Sequence, residues 1–111
     1  GPLAILVDEM SASTSEIFAG GMQDIGRARV FGTHTPGAAL PSTVEKLPNG
    51  DRLQYAFANY VSAKGTTLEA TGVVPDEPIA LSRELLLAEG DPVLNAAIRW
   101  IQSQSGARAG K

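Results

Sequence analysis

Apolar positions along the chain follow two rhythms. Residues 3–7, Leu-Ala-Ile-Leu-Val, form a continuous apolar run, the pattern of a strand covered on both faces as in a parallel sheet. Over residues 13–25 the rhythm becomes helical, with Ile17, Phe18, Met22 and Ile25 near one face. Gly20 and Gly21 interrupt that helix at about 1 kcal/mol each relative to alanine, so their expected use is close approach to a neighbouring element. Gly26 suits the position that ends the helix, and residues 27–32 then turn into a short strand. Strand, helix and strand within about thirty residues make a βαβ unit.

Residues 33–42 read as a loop, because Pro36-Gly37 signals a turn and Pro41 cannot sit in a central strand. Residues 43–47 and 52–61 flank Pro48-Asn49-Gly50-Asp51, a strong hairpin signal. In the second run Leu53, Tyr55 and Phe57 alternate with Gln54, Ala56 and Ala58, which predicts one buried face. Residues 72–76 (Gly-Val-Val-Pro-Asp) are an extended stretch closed by a turn. A short helix is expected over 82–89, capped by Ser82 and followed by Gly90. Asp91 caps a last helix with Pro92 at its first position, and Leu94, Ala97, Ile98 and Ile101 form its expected apolar face. Residues 103–111 are small and polar and read as a flexible tail.

Composition narrows the function more than the fold. At 111 residues there is room for one domain or one piece of a domain. A net charge of −3 gives no electrostatic help toward nucleic acid or an anionic membrane surface. No apolar run approaches the roughly 20 residues that span a bilayer. Cysteine is absent and His34 is the single histidine, so neither thiolate chemistry nor a multi-histidine metal site is expected, and no cofactor signal is seen. The chain enters its first strand at once, without an initiator Met, and reads as the later part of a longer protein.

The chemistry centres on Ser11-Ala12-Ser13-Thr14-Ser15-Glu16. A strand, a tight turn and a helix starting at a serine place a hydroxyl where backbone N–H groups and the helix dipole favour developing negative charge. That geometry suits a serine nucleophile. The same residues also match the S-x-x-E capping box at Ser13 and Glu16. Local sequence leaves both roles open.

Taken together, residues 3–8, the Ser-Ala-Ser-Thr-Ser-Glu-Ile-Phe-Ala-Gly-Gly-Met-Gln-Asp-Ile-Gly-Arg-Ala run, the strand ending in Gly32, Leu47-Pro48-Asn49-Gly50 and Gly72-Val73-Val74-Pro75-Asp76 resemble the tail-specific (carboxyl-terminal processing) serine proteases. The resemblance runs from Gly1 to about Pro78. It implies that Ser13, rather than Ser11 or Ser15, holds the nucleophile position, with the Thr14 N–H as one oxyanion donor. It aligns Asp24 with an aspartate kept near the active region, while the residues alone read Asp24 as a helix-end partner of Arg27 or Arg29. The family's second oxyanion donor comes from an earlier glycine loop that this chain does not contain. The family's lysine base falls on Ala38, which accepts no proton. His34 and Lys46 are the candidate substitutes within the chain, beside their plainer readings as a solvated strand-end histidine and a solvated charge on a hairpin strand. The coherent Gly-Ala-Ala-Leu-Pro-Ser run around this alanine points to a divergent branch lacking the usual lysine base, such as one that takes its base from an upstream histidine, rather than to an engineered replacement; a non-catalytic relative is the remaining alternative.

The implied fold is α/β, part of a ClpP/crotonase-like spiral of ββα units, with a mostly parallel sheet, a β-hairpin arm and a C-terminal helix. Residues 1–102 would be the C-terminal portion of the catalytic domain. The implied activity is a serine endopeptidase that cuts protein substrates near their C-termini, in the bacterial periplasm or envelope, with this segment alone inactive. A peptide-binding relative that does not cut is the alternative. Acyl-CoA enzymes of the crotonase type share the architecture but do not need Ser-Ala-Ser at the helix start. An uncovered strand edge further implies a homo-oligomer or a strand-exchanged dimer.

Overall fold

The computed structural model describes residues 1–106. In chain order its elements are β1 (Ala4–Val7), α1 (Thr14–Asp24), β2 (Arg29–Gly32), β3 (Ser42–Lys46), β4 (Arg52–Ala56), β5 (Glu77–Pro78), α2 (Arg83–Glu89) and α3 (Pro92–Gly106). The parallel sheet has the order β1-β2-β5, with Ala4 beside Arg29 and Val7 beside Gly32. The expected βαβ unit is therefore formed by β1, α1 and β2. The short strand β5 was not expected from the sequence. It pairs Phe31 with Glu77 and Gly32 with Pro78, just beyond the Gly-Val-Val-Pro-Asp stretch.

Successive strand residues face opposite sides of a sheet, and two clusters follow from this. Val7, Val30, Ala19, Ala39, Leu68 and Val73 pack under α1 with Ile5 against them. Phe31, Val93 and Ala97 pack under α3 with Ala4, Ile79 and Trp100. The Phe31 and Trp100 ring centroids lie 5.7 Å apart in a tilted arrangement. The continuous apolar run of β1 is thus covered on both faces, as its pattern predicts, although Leu6 remains 41% exposed. Asp76 supports this sheet from its end, because its Oδ2 accepts the Val30 N–H at 2.8 Å.

Both long helices turn only part of the predicted face inward, Ile17 on α1 and Ala97 on α3. On α1, Phe18 and Ile25 are exposed, and the buried stripe is Glu16, Ala19 and Gly20. The reason is close approach: a Cβ on Gly20 would lie 3.1 Å from Leu68 Cδ1 and 3.3 Å from Val73 Cγ2. At Gly20 only a small residue fits beneath Leu68 and Val73. On α3, Leu94 and Ile98 are exposed, while Val93 and Ala97 are buried and Trp100 packs against them. Small residues again let the helix sit close, with Trp100 filling the gap beside Phe31. Helix α3 also continues through Gly106, past the expected boundary at 102. Residues 107–111 of the expected tail lie outside the described residues.

The hairpin forms around the Asn-Gly turn, with Ser42 opposite Ala56 and Lys46 opposite Arg52. Leu47 N–H donates to the Asp51 carbonyl at 2.8 Å, and Asn49 Oδ1 accepts the Asp51 N–H at 3.1 Å. The expected burial of one face is not found. Leu53, Tyr55 and Phe57 are all exposed, because β3 and β4 form their own two-stranded sheet apart from β1-β2-β5. Replacing Leu53 with serine should therefore shift the urea unfolding free energy of this chain by no more than about 0.5 kcal/mol. A loss of the size seen for core leucines would show that the arm packs on something.

Candidate active site

The site begins where β1 ends. Asp8 Oδ1 accepts the Met10 N–H and the Ser11 hydroxyl, both at 2.9 Å. Ser11 Oγ in turn accepts the Asp8 N–H at 3.0 Å. This closes the acidic turn and commits the Ser11 hydroxyl. Two residues later Ser13 stands at the N-cap of α1 with φ 60° and ψ −124°, a conformation rare for a residue with a side chain and costing about 1–3 kcal/mol. Ser13 is exposed, and its hydroxyl makes no cap hydrogen bond although it stands over the Glu16 N–H. The turn's bonds come from the N–H groups of Ser13, Ser15, Glu16 and Ile17; among the described residues the Thr14 N–H adds none to them.

Glu16 organises what surrounds Ser13. It is fully buried, and both carboxylate oxygens are used twice. Oε1 accepts the Thr35 hydroxyl at 2.6 Å and the Gly37 N–H at 2.7 Å. Oε2 accepts the Ala38 N–H at 2.9 Å and the Ser13 N–H at 3.0 Å. Burial pushes this carboxyl up, but the bonds from Thr35, Gly37, Ser13 and Ala38 outweigh it, and Glu16 lies below its usual value of 4.5. The Ser13 N–H also donates to the Ala38 carbonyl at 3.0 Å, so the backbone of residue 38 lies directly against the serine.

A second loop braces the first. Thr35 Oγ1 accepts the Val73 N–H at 2.7 Å, the Ala70 N–H donates to the Gly37 carbonyl at 2.8 Å, and Glu69 Oε2 accepts the Ala39 N–H at 2.8 Å. Gly72 has φ +70°, and a Cβ there would fall 2.2 Å from the Thr35 carbonyl oxygen. The Gly-Val-Val-Pro-Asp stretch therefore supports the site and the sheet; its side chains are not at Ser13.

The other candidates are distributed as follows. Asp24 closes α1, about 16 Å along the axis from its start. Among the described residues its buried Oδ2 has no hydrogen-bond partner, and Arg29 pairs with Glu77 instead. His34 is exposed, and its Nε2 donates to the Thr71 carbonyl at 2.6 Å. Lys46 lies on β3, in the arm. No hydrogen bond among the described residues joins any of these three to Ser13. Sequence reasoning missed Thr35 and Glu69, and saw Glu16 only as a cap. The signal available was the glutamate three residues after Ser13; the loops that bury it carry no recognisable spacing.

An apolar cleft of about 430 Å³ runs beside the serine turn, lined by Ile5, Leu6, Val7, Ser11, Thr14 and Phe18 among others. A larger cavity of about 710 Å³ lies elsewhere, among Leu3, Arg27, Arg29, Asp76 and Trp100. The strained serine, not cavity size, marks the candidate site. Among the described residues no group of three or more His, Cys, Asp or Glu could hold a metal ion, and no helix is long and apolar enough to cross a membrane.

Residues 1–79 match the profile of peptidase family S41. The chain belongs to that family. It is 40% identical over 81 residues to the chloroplastic carboxyl-terminal-processing peptidase 2 of Arabidopsis thaliana, covering 73% of this chain and 16% of the relative. It is 37% identical over 78 residues to the carboxyl-terminal-processing protease of Picosynechococcus, covering 70% of this chain and 19% of the relative. Among solved structures it resembles a photosystem II D1 C-terminal processing protease, with TM-score 0.63 and 34% identity over 71% of this chain and 20% of that one. The tricorn protease shares the fold, with TM-score 0.80 and 24% identity over 94% of this chain and 10% of that one. This S41 chain thus spans less than a fifth of the length of those two curated relatives. Its mixed α/β architecture, mainly parallel sheet and C-terminal helix agree with the fold the resemblance implies.

Proposed function

We propose that this chain is part of a serine endopeptidase that cleaves protein substrates near their C-termini, in the bacterial periplasm or envelope. Ser13 is the nucleophile. Its hydroxyl oxygen attacks the scissile carbonyl while a base from elsewhere in the full-length polypeptide takes the hydroxyl proton, and the negative charge on the carbonyl oxygen falls to the Thr14 N–H. The same group returns that proton to the departing amine, and an acyl-enzyme on Ser13 remains for water to hydrolyse. Asp24 is kept as a residue of the active region. The observation carrying this reading is the strained, exposed Ser13 at the N-terminus of α1, beside an N–H that the turn leaves unused.

Residue 38 gives the second reading its weight. Its carbonyl touches the Ser13 N–H, and an alanine there supplies no base. A peptide-binding relative that does not cut fits that observation. On either reading the segment alone is inactive, and the uncovered edge of β1 favours a homo-oligomer or a strand-exchanged dimer. A serine-reactive fluorophosphonate applied to the full-length polypeptide decides the matter. Labelling at Ser13, abolished in Ser13→Ala, is the expected result. Equal labelling of the two proteins would remove Ser13 from the mechanism, and proteolysis by the unmodified protein would reject the binding-only reading.

A further inference from the structure

We infer that Glu16 is a positioning residue whose ionised carboxylate holds Ser13 and the 35–38 loop in the one arrangement that presents the serine for attack. This rests on the protease reading above. Four donors converge on this side chain: the Thr35 hydroxyl and the N–H groups of Gly37, Ala38 and Ser13. An ionised carboxylate meets them with two oxygens and no hydrogen. A glutamine offers one oxygen and an NH₂ group, which would face two of the four donors. The site is therefore specific for charge as well as size, which a helix cap at solvent does not require.

The geometry says what the carboxylate positions. The Ser13 N–H is shared between Glu16 Oε2 and the Ala38 carbonyl, each at 3.0 Å. This double grip accounts for how a residue with a side chain is kept at φ 60°. The same Oε2 takes the Ala38 N–H, so residue 38 is bound at both its donor and its acceptor, and its distance from the serine is fixed. Through the Thr35 hydroxyl the hold extends to Val73. Glu16 does not face the space above Ser13, since it is fully buried. It acts through the serine's backbone rather than on a substrate.

The test compares wild type with Glu16→Gln. In the 111-residue chain, hydrogen exchange by NMR should show protection at the Ser13, Gly37 and Ala38 amides falling at least tenfold in the variant. The Val30 amide, which bonds Asp76, should keep its protection. In the full-length polypeptide the maximal rate of fluorophosphonate labelling should fall at least tenfold, with half-saturation by the probe nearly unchanged. Uniform loss of protection along the chain would reduce Glu16 to a structural residue and overturn the inference, as would unchanged protection at the three amides. If the variant does not fold, wild type still decides: Ser13, Gly37 and Ala38 amides exchanging as fast as those of the exposed arm would overturn it. Absence of labelling in wild type would sink the protease reading and leave the exchange result standing.

Discussion

Replacing Gly32 with alanine is expected to prevent the sheet from forming. Gly32 ends β2 at φ +124°, and a Cβ built there lies 1.9 Å from the Val7 carbonyl oxygen and 3.0 Å from its carbon. Those are backbone atoms of the neighbouring strand, so no rotamer change relieves the clash. Separation of the strands is resisted by the Thr33 N–H to Val7 carbonyl bond at 3.1 Å and by the Ile79 N–H to Gly32 carbonyl bond at 2.8 Å. All three strands meet at this residue. The cost should exceed about 4 kcal/mol, a large share of the roughly 5–15 kcal/mol by which a domain is stable. Gly50→Ala is the control. Gly50 also has positive φ, but nothing lies within 4 Å of a Cβ there, so only the conformational penalty of about 1–2 kcal/mol applies. Thermal unfolding followed by circular dichroism separates the two. Similar midpoints for both variants would show that β1 and β2 are not held in this register.

Acid should weaken this protein through Glu16 in particular. Its carboxyl is pushed up by burial and pulled down further by the bonds from Thr35, Gly37, Ser13 and Ala38, with a net fall below 4.5. A carboxyl that is more acidic when folded contributes stability that is complete above its unfolded value and is lost as pH falls through the folded one. The window therefore opens near pH 4.5 and extends downward; neutral pH lies outside it. Protonation adds a hydrogen where four donors already point, so at least one must give way. Removing the group altogether is harsher. In Glu16→Ala the buried Thr35 hydroxyl and Gly37 N–H lose their acceptor, at about 1–3 kcal/mol each, for a total of about 2–6 kcal/mol. Urea unfolding of wild type and Glu16→Gln at pH 7, 4.5 and 3 tests the linkage. Wild type should lose stability more steeply below 4.5, since the variant has no such carboxyl to titrate. Parallel curves would assign acid sensitivity to the other carboxylates.

The β1-α1-β2 unit and the hairpin turn were legible because their signals are local: a doubly covered strand reads as an unbroken apolar run, Ser13 and Gly26 mark the helix ends, and Asn49-Gly50 marks the turn between β3 and β4. The inward faces of α1 and α3 were legible only in part. Periodicity assigns the largest apolar side chains to the core, whereas on α1 closeness of packing wins, and Ala19 and Gly20 go in while Phe18 stays out; on α3 the expected Ala97 goes in beside Val93, but the expected Leu94 stays out. The arm was misread for a related reason: alternation in β4 shows a face fit for burial without saying what would cover it. At the site, the position of Ser13 and Thr14 at the start of α1 could be read from sequence. The burial of Glu16 could not, because three of its four donors lie 19 to 22 residues away in the chain.

The link from Glu16 through Thr35 to Val73 has a consequence for synthesis. The bond that completes the serine's setting joins residues 35 and 73, a separation of 38 residues. Contacts that distant form only after the intervening chain exists and its closure entropy has been met. A ribosome that has released β1, α1 and β2 has therefore released a serine whose supporting loop is still unanchored. The setting of Ser13 is complete only after the residue-73 segment emerges.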